Sequence, residues 1–327
     1  MPERNPYKIG DTQVAPGTRA HVELPVSRLF TGAEVAMPVT VLQGAEHGAT
    51  MWINAAIHGD EINGVEIVNR VLAQLDPKEM RGTLLAVPVV NVHGFMSGDR
   101  YLPDRRDLNR SFPGSRSGSL ASRLANLFMT EIVSQCEIGI DLHTASDNRT
   151  NLPQIRATLD DEQTLALAEV FGAPLILHAK SQPGTLRQAA VKKGKSVLLF
   201  EAGEALRFDR LSIDTGVAGI RRVLRHLDIA DWDGPDAEPV AVSRSSSWIR
   251  ASQSGVARLE IEIGETVIAG QQIGTIIDAF GKRLSTIKAK RAGLVIGRTL
   301  YPLVNKGDAL VHVASLVDNE QTQAAPA

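Results

Sequence analysis

His58 and Glu61 stand three residues apart in AAIHGDEINGVEIV, residues 55–68, where an apolar strand gives way to an amphipathic helix. An imidazole and a carboxylate so placed can converge on one point, and divalent zinc accepts both donor types. The same residues also suit an ordinary strand-to-helix turn, with Asp60 capping the helix and Glu61 favouring its dipole. A catalytic zinc needs about three protein ligands and an open position for water. His143 offers the third, because it follows the apolar run Ile138–Leu142 as His58 follows its own strand. In open α/β sheets, ligands bind beyond the carboxyl ends of the strands, so two histidines placed this way can meet. Asp141 either orients a ligand or is a buried structural acid. The remaining six histidines, His21, His47, His93, His178, His226 and His312, lack this placement and read as surface or ordinarily paired groups.

KSVLLFEAGEA repeats the pattern: Glu201 comes directly after the apolar run Val197–Phe200. A carboxylate at that edge can take a proton from an activated water and pass it to a leaving amine. Glu204 is its rival, three residues later in a loop. Residues 91–114 carry Arg100, Arg105, Arg106 and Arg110, interleaved with Asp99, Asp104 and Asp107. Such a run can be a solvated, self-paired surface, but it is long for a connector, and long loops tend to be functional. Arginine's planar fork matches a carboxylate bidentately, so this loop is where a substrate carboxylate would be held.

The elements that must position these side chains are legible in outline. Short β-branched runs at Val39–Leu42, Met51–Ile57, Leu84–Val90, Ile138–Leu142, Pro174–Leu177 and Val197–Phe200 predict strands, mostly apolar on both faces. Apolar residues recurring at three- and four-residue intervals predict helices over Glu61–Leu75, Leu120–Val133, Glu162–Phe171 and Ile213–Leu227. The alternation is that of a mixed α/β sheet over residues 1–228. Asp, Gly and Pro crowd the segment 229–242, which predicts a linker. Residues 243–316 then read as a small all-β, barrel-like domain of short alternating segments punctuated by glycine. Its hairpin, FGKRLSTIKAKRAG, places neither Lys288 nor Lys290 in the sequence context of a lipoyl or biotinyl carrier. The polar, Ala/Pro-rich tail 317–327 is expected to be disordered.

Composition narrows the function further. With 327 residues at 43% apolar the chain is long enough for two cores. Thirty-five Lys+Arg against 37 Asp+Glu give a net charge of −2, so no global positive field draws nucleic acid. Cys136 is the only cysteine, which removes disulfide frameworks, thiolate zinc fingers and iron–sulfur clusters. The expected location is cytoplasmic, with no signal peptide, no membrane span and no membrane partner. No Gly-x-Ser-x-Gly elbow occurs, and AAVKKGKS lacks the glycine and the following helix of a phosphate loop.

His58-Gly-Asp-Glu61, the run Asp107-Leu-Asn109-Arg110-Ser-Phe-Pro-Gly114, Asp141-Leu-His143-Thr144 and Glu201-Ala-Gly together resemble the succinylglutamate desuccinylase/aspartoacylase family of the zinc carboxypeptidase superfamily. The resemblance covers roughly residues 35–315. It implies a zinc carboxypeptidase-like catalytic domain followed by a lipoyl-like barrel, with one Zn2+ per chain held by His58, Glu61 and His143. It implies Glu201 as general base and acid, Asn109 and Arg110 as holders of the substrate carboxylate, and Arg100 as the group polarising the scissile carbonyl. Arg105 and Arg106 are the alternatives to Arg100. The expected reaction is hydrolysis of the amide bond of a small N-acyl amino acid. Carboxypeptidase action on short peptides and a catalytically inactive metal-binding module are the rival readings. Which acyl group and amine are cleaved, and whether the chain forms a homo-oligomer, are left open.

Overall fold

The structure is a computed structural model that describes residues 4–146 and 148–316; the tail expected to be disordered, 317–327, lies outside the described residues. Strands β1 (Tyr7–Ile9), β2 (Thr12–Val14), β3 (Thr18–Arg28), β4 (Glu34–Gln43) and β5 (Glu46–Ala55) precede helix α1 (Asn63–Ala73). They are followed by β6 (Arg81–Val87), α2 (Val92–Ser97), α3 (Leu120–Glu131), β7 (Ile138–Ala145), β8 (Arg149–Ala157) and α4 (Glu162–Phe171). Next come β9 (Leu175–His178), α5 (Leu186–Val191), β10 (Ser196–Glu204) and α6 (Arg210–His226). Beyond α6 the described strands and helices are strands alone. These are β11 (Ala241–Ser243), β12 (Ser246–Arg250), β13 (Gly255–Leu259), β14 (Thr266–Val267), β15 (Gln272–Ile277), β16 (Arg283–Lys288), β17 (Gly293–Thr299), β18 (Leu303–Val304) and β19 (Ala309–Ala314).

One mixed sheet runs in the order β12-β19-β17-β8-β10-β7-β5-β6-β4-β3. Its centre, β10, β7, β5 and β6, pairs in parallel. Both faces of these strands are covered, which is why each carries apolar residues at successive positions, as in Met51–Ile53, Leu84–Val87 and Val197–Phe200. Helices α1, α4 and α6 close one face over a core that includes Ile67, Leu167 and Ile220. Helices α3 and α5, with Ile9 and Val14 of the first hairpin, close the other.

Several boundaries differ from those expected. β5 stops at Ala55 rather than Ile57, because Ala56 adopts a left-handed backbone, φ 49°, that turns the chain out of the sheet. Helix α1 begins at Asn63, so Glu61 precedes it, and its N-cap residue Ile62 makes no side-chain cap. His143 and Glu201 lie inside β7 and β10 rather than after them. The long loop 91–114 contains α2 and a 3-10 turn at Leu108–Arg110. β8 and β3 escape the sequence reading because their runs, RTNLPQIRA and TRAHVELPVSR, mix polar residues and proline into the strand. Pro25 is tolerated because β3 is an edge strand.

Of the expected linker, Ile229 and Ala230 are buried in the main core, residues 231–240 carry no regular element, and Ala241–Ser243 pairs in parallel with β9. β17 pairs with β8 through Gly297 opposite Asn151, so the C-terminal strands extend the central sheet. A second sheet, β16-β15-β13-β18, helps enclose a separate core of Ile249, Ile273, Ile276, Val295 and Leu310. No helix among the described residues is long and apolar enough to cross a membrane.

Gly64 sets how closely α1 lies on the sheet. A Cβ there would meet the Cβ atoms of Ala55 and Leu142 at 2.6 and 2.8 Å, both on rigid strands. Gly64→Ala is therefore expected to push α1 outward and cost about 1–3 kcal/mol, measured by urea unfolding, although alanine is the better helix former.

Candidate metal centre and catalytic cleft

His58, Glu61 and His143 meet under the carboxyl ends of β5 and β7, and all three are buried, at 3%, 2% and 5% exposure. One ligand atom from each lies within 4.8 Å of the others. His58 Nδ1 is 2.7 Å from Glu61 Oε1, and His143 Nδ1 is 2.7 Å from Glu61 Oε2. The Thr144 N–H also donates to Glu61 Oε2, at 3.1 Å. Gly59 keeps this corner tight: a Cβ there would stand 1.9 Å from the Gly94 carbonyl carbon.

Each imidazole meets a second carboxylate with its far nitrogen. His58 Nε2 is 3.1 Å from Asp107 Oδ1, and His143 Nε2 is 3.0 Å from Asp141 Oδ2. A proton on His58 Nε2, bonded to Asp107, leaves the Nδ1 lone pair available to a metal; the His143–Asp141 approach is an ion-pair distance without hydrogen-bond geometry. Asp141 is itself anchored, since Asn54 Nδ2 donates to it at 2.6 Å and the Trp52 indole donates to Asn54 at 2.9 Å. Asp141→Asn is expected to preserve the fold and weaken zinc affinity about 10–100-fold, checked by competition with a chromophoric chelator.

The electrostatics agree with this geometry. Burial opposes the charge of His58, but Glu61 and the Asp107 hydrogen bond outweigh it and raise its pKa. Burial likewise opposes a charged His143, yet Asp141 and Glu61 hold it well above the ordinary value. Burial alone would raise Glu61; the two imidazoles instead hold it far below the usual carboxylate range. Two buried nitrogen donors and an ionised carboxylate, with carboxylates beside the far side of both imidazoles, fit the donor set of a catalytic zinc site.

Of the three candidate arginines, Arg100 is the one beside this centre. Its Nη1 is 3.2 Å from Glu61 Oε1, and its Nη2 donates to Asp107 Oδ2 at 3.0 Å. Arg105 and Arg106 are exposed and do not line the cleft. Parallel pairing of β10 with β7 sets Glu201 opposite His143, and the Glu201 carboxylate accepts from Asn151 at 2.6 Å and lies 3.1 Å from Arg156 Nη2. Glu204 turns instead to Arg207, at 3.3 Å, outside the cleft. Asn109 and Arg110 both line the cleft; Asn109 Oδ1 accepts from the Leu186 N–H, and the Arg110 guanidinium donates to the Asn109 carbonyl.

The cleft, about 300 Å³, is also lined by residues not singled out from sequence: Arg149, Arg156, Lys180, Arg187 and Trp248. Arg187 is only 7% exposed, and its Nη1 has no hydrogen-bond partner among the described residues. Burial, then the neighbouring Arg156, lowers its pKa. Trp248 comes from β12, with Arg149 over its ring at 5.5 Å and His312 stacked on it at 4.5 Å. Burial, helped by Arg156, drops the His312 pKa to about 3, so this histidine stays neutral behind the cleft. Cys136 is buried in the second core and its thiol is held neutral by burial, as expected of a small apolar residue.

A family model for the succinylglutamate desuccinylase/aspartoacylase catalytic domain matches residues 47–227, a span that includes His58, Glu61, His143 and Glu201. The chain belongs to the succinylglutamate desuccinylase/aspartoacylase family. Among curated family relatives, the N-alpha-acetyl-L-2,4-diaminobutyric acid deacetylase of Halomonas elongata is 26% identical over 313 residues, 91% of either chain. A succinylglutamate desuccinylase of Pseudomonas aeruginosa is 31% identical over 133 residues, 36% of this chain and 38% of its own. Among solved family structures, a succinylglutamate desuccinylase/aspartoacylase from Rhodobacter sphaeroides superposes with a TM-score of 0.81 at 27% identity, covering 91% of this chain and 96% of its own. A product-bound ectoine utilization protein from Ruegeria pomeroyi gives 0.82 at 26%, covering 91% and 95%. The mixed α/β architecture is thus that of the family.

Proposed function

We propose that this chain is a zinc-dependent hydrolase that cleaves the amide bond of small N-acyl amino acids. The observation that carries the reading is the convergence of His58, Glu61 and His143 in a cleft that also holds Arg100 and Glu201. Zinc held by those three ligands supplies Lewis acidity toward water and toward an acyl carbonyl. Glu201, opposite His143 in the sheet, takes the proton of the attacking water and returns it to the leaving amine. Arg100 stabilises the negative charge that develops on the carbonyl oxygen. Arg110, beside Asn109, holds the α-carboxylate. Residues 243–316 act as the module that walls the cleft through Trp248 and restricts it to small substrates.

Charge refines the substrate class. Among the described residues, the carboxylates lining the cleft are Glu61, engaged by both imidazoles, and Glu201, engaged by Asn151 and Arg156. Among the described residues neither is left for a cationic side chain, whereas the buried Arg187 offers a nitrogen without a hydrogen-bond partner. Substrates with a second anionic group are favoured over acyl-diaminobutyrate, whose side chain is an ammonium. The test is hydrolysis by zinc-loaded protein of N-acetyl and N-succinyl derivatives of aspartate, glutamate, alanine and diaminobutyrate, beside short peptides. Turnover of peptides alone would sink the deacylase reading. Arg187→Met is expected to raise KM for the acidic substrates about 10–100-fold, the worth of one charged hydrogen bond, and to leave KM for the alanine derivative nearly unchanged.

A further inference from the structure

Arg187 borders two cavities. The first is the catalytic cleft; the second, about 210 Å³, is lined by Thr158, Lys195, Ser196 and Val197 as well as Arg187. The two lie along one face of the sheet. Alternate residues of a strand share a face, so Glu201, Leu199 and Val197 of β10 point the same way. Glu201 and Leu199 line the cleft, and Val197 lines the second cavity. Arg156, paired with Leu199 across β8 and β10, and Thr158, two residues on, divide in the same manner. Helix α5 covers this face, and Arg187 is the residue that lines both spaces.

The second cavity favours an anion. Arg187 and Lys195 are its cations; Lys195 forms no ion pair among the described residues, and Arg187 Nη1 is buried without a partner. The facing acid, Asp161, spends one carboxylate oxygen on capping α4, accepting from the Thr164 N–H at 2.9 Å and from its hydroxyl. The Thr158 hydroxyl supplies a further donor at the wall, while the Ser196 hydroxyl donates to Gln163 Oε1 at 3.3 Å.

We propose that this second cavity binds a small carboxylate or inorganic oxyanion between Arg187 and Lys195, and that its occupancy draws Arg187 away from the catalytic cleft. The coupling rests on the reading of Arg187 as the group that meets a substrate anion. An anion bound behind α5 then raises KM for acidic N-acyl amino acids, leaves kcat in place, and leaves the alanine derivative unaffected.

The experiment uses the full-length, zinc-loaded protein with sulfate and acetate as separate probes at constant ionic strength. Calorimetry is expected to show binding of at least one probe, weakened about tenfold or more by Lys195→Glu and by Val191→Glu, which places a carboxylate at the exposed rim of the cavity. Tighter binding of acetate marks a carboxylate site, and tighter binding of sulfate an inorganic oxyanion site. Without the probes, both variants should keep the parent KM and kcat within about twofold. Parent-like affinity in both variants would show that the probe sits in the catalytic cleft and would overturn the proposal, as would the absence of binding by either probe. Should no substrate be turned over, the calorimetric comparison still decides on the site, while the deacylase reading fails separately.

Discussion

Glu201→Gln is expected to lower kcat by about 100- to 10,000-fold while zinc stoichiometry, measured by elemental analysis, stays at one per chain. The two readouts separate because Glu201 is not among the converging ligands: it stands across the strand pair from His143 and is held by Asn151 and Arg156. Glutamine keeps the volume and still offers an oxygen to the Asn151 amide, so the geometry of β10 should survive. It cannot accept a proton, so the attacking water loses its base and the leaving amine its acid. KM should change little, because binding in this reading falls to Arg110, Asn109 and Arg187. A Gln variant with parent kcat would remove Glu201 from the mechanism and turn attention to another proton acceptor in the cleft.

The Glu201 experiment also bears on why some of this site was legible and some was not. His58, His143 and Glu201 each terminate or closely follow an apolar run, and strands buried on both faces write themselves plainly into a sequence. The strand ends differ from those the apolar runs predict, because Ala56 leaves the sheet early through a left-handed turn while β7 and β10 run on past His143 and Glu201. Asp107 carried the opposite difficulty. It sits in a run of alternating charges that suits a self-paired surface as well as a functional loop, and its contact with His58 becomes visible only when the fold brings it 3.1 Å from an imidazole 49 residues away. Arg187 lies on a six-residue helix, too short for periodicity to reveal which side faces the cleft. Trp248 could be placed only by the pairing of β17 with β8, a long-range registration that no local pattern encodes. Residues whose role comes from their own strand are thus readable, and residues whose role comes from a partner across the fold are not.

Glu61→Gln is expected to abolish zinc retention after dialysis and, with it, all metal-dependent turnover. The amide is isosteric and can still accept the Thr144 N–H, so a folded protein should be recovered. Charge is what changes. Glu61 answers two imidazoles and one guanidinium at 2.7–3.2 Å, and a neutral side chain leaves a divalent cation with two nitrogen donors and no anionic ligand. The same loss is expected in the metal-free protein as a titration. Glu61 is one of the groups that raise His58 and His143 against the effect of burial, so both should titrate at lower pH in the variant by histidine NMR. Asp107 and Asp141 remain in place, so each imidazole keeps one carboxylate and the shift is partial. In the parent, zinc uptake must displace protons from these raised imidazoles; affinity should therefore strengthen as pH rises through their folded-state pKa values, with fewer protons released per ion. Glu61→Ala makes the contrast sharper. It leaves the Thr144 N–H and two polarised histidines without their buried partner, at a cost of about 3–5 kcal/mol. A Gln variant that kept stoichiometric zinc and parent activity would mean that the cation is held elsewhere, and the assignment of this centre would fall with it.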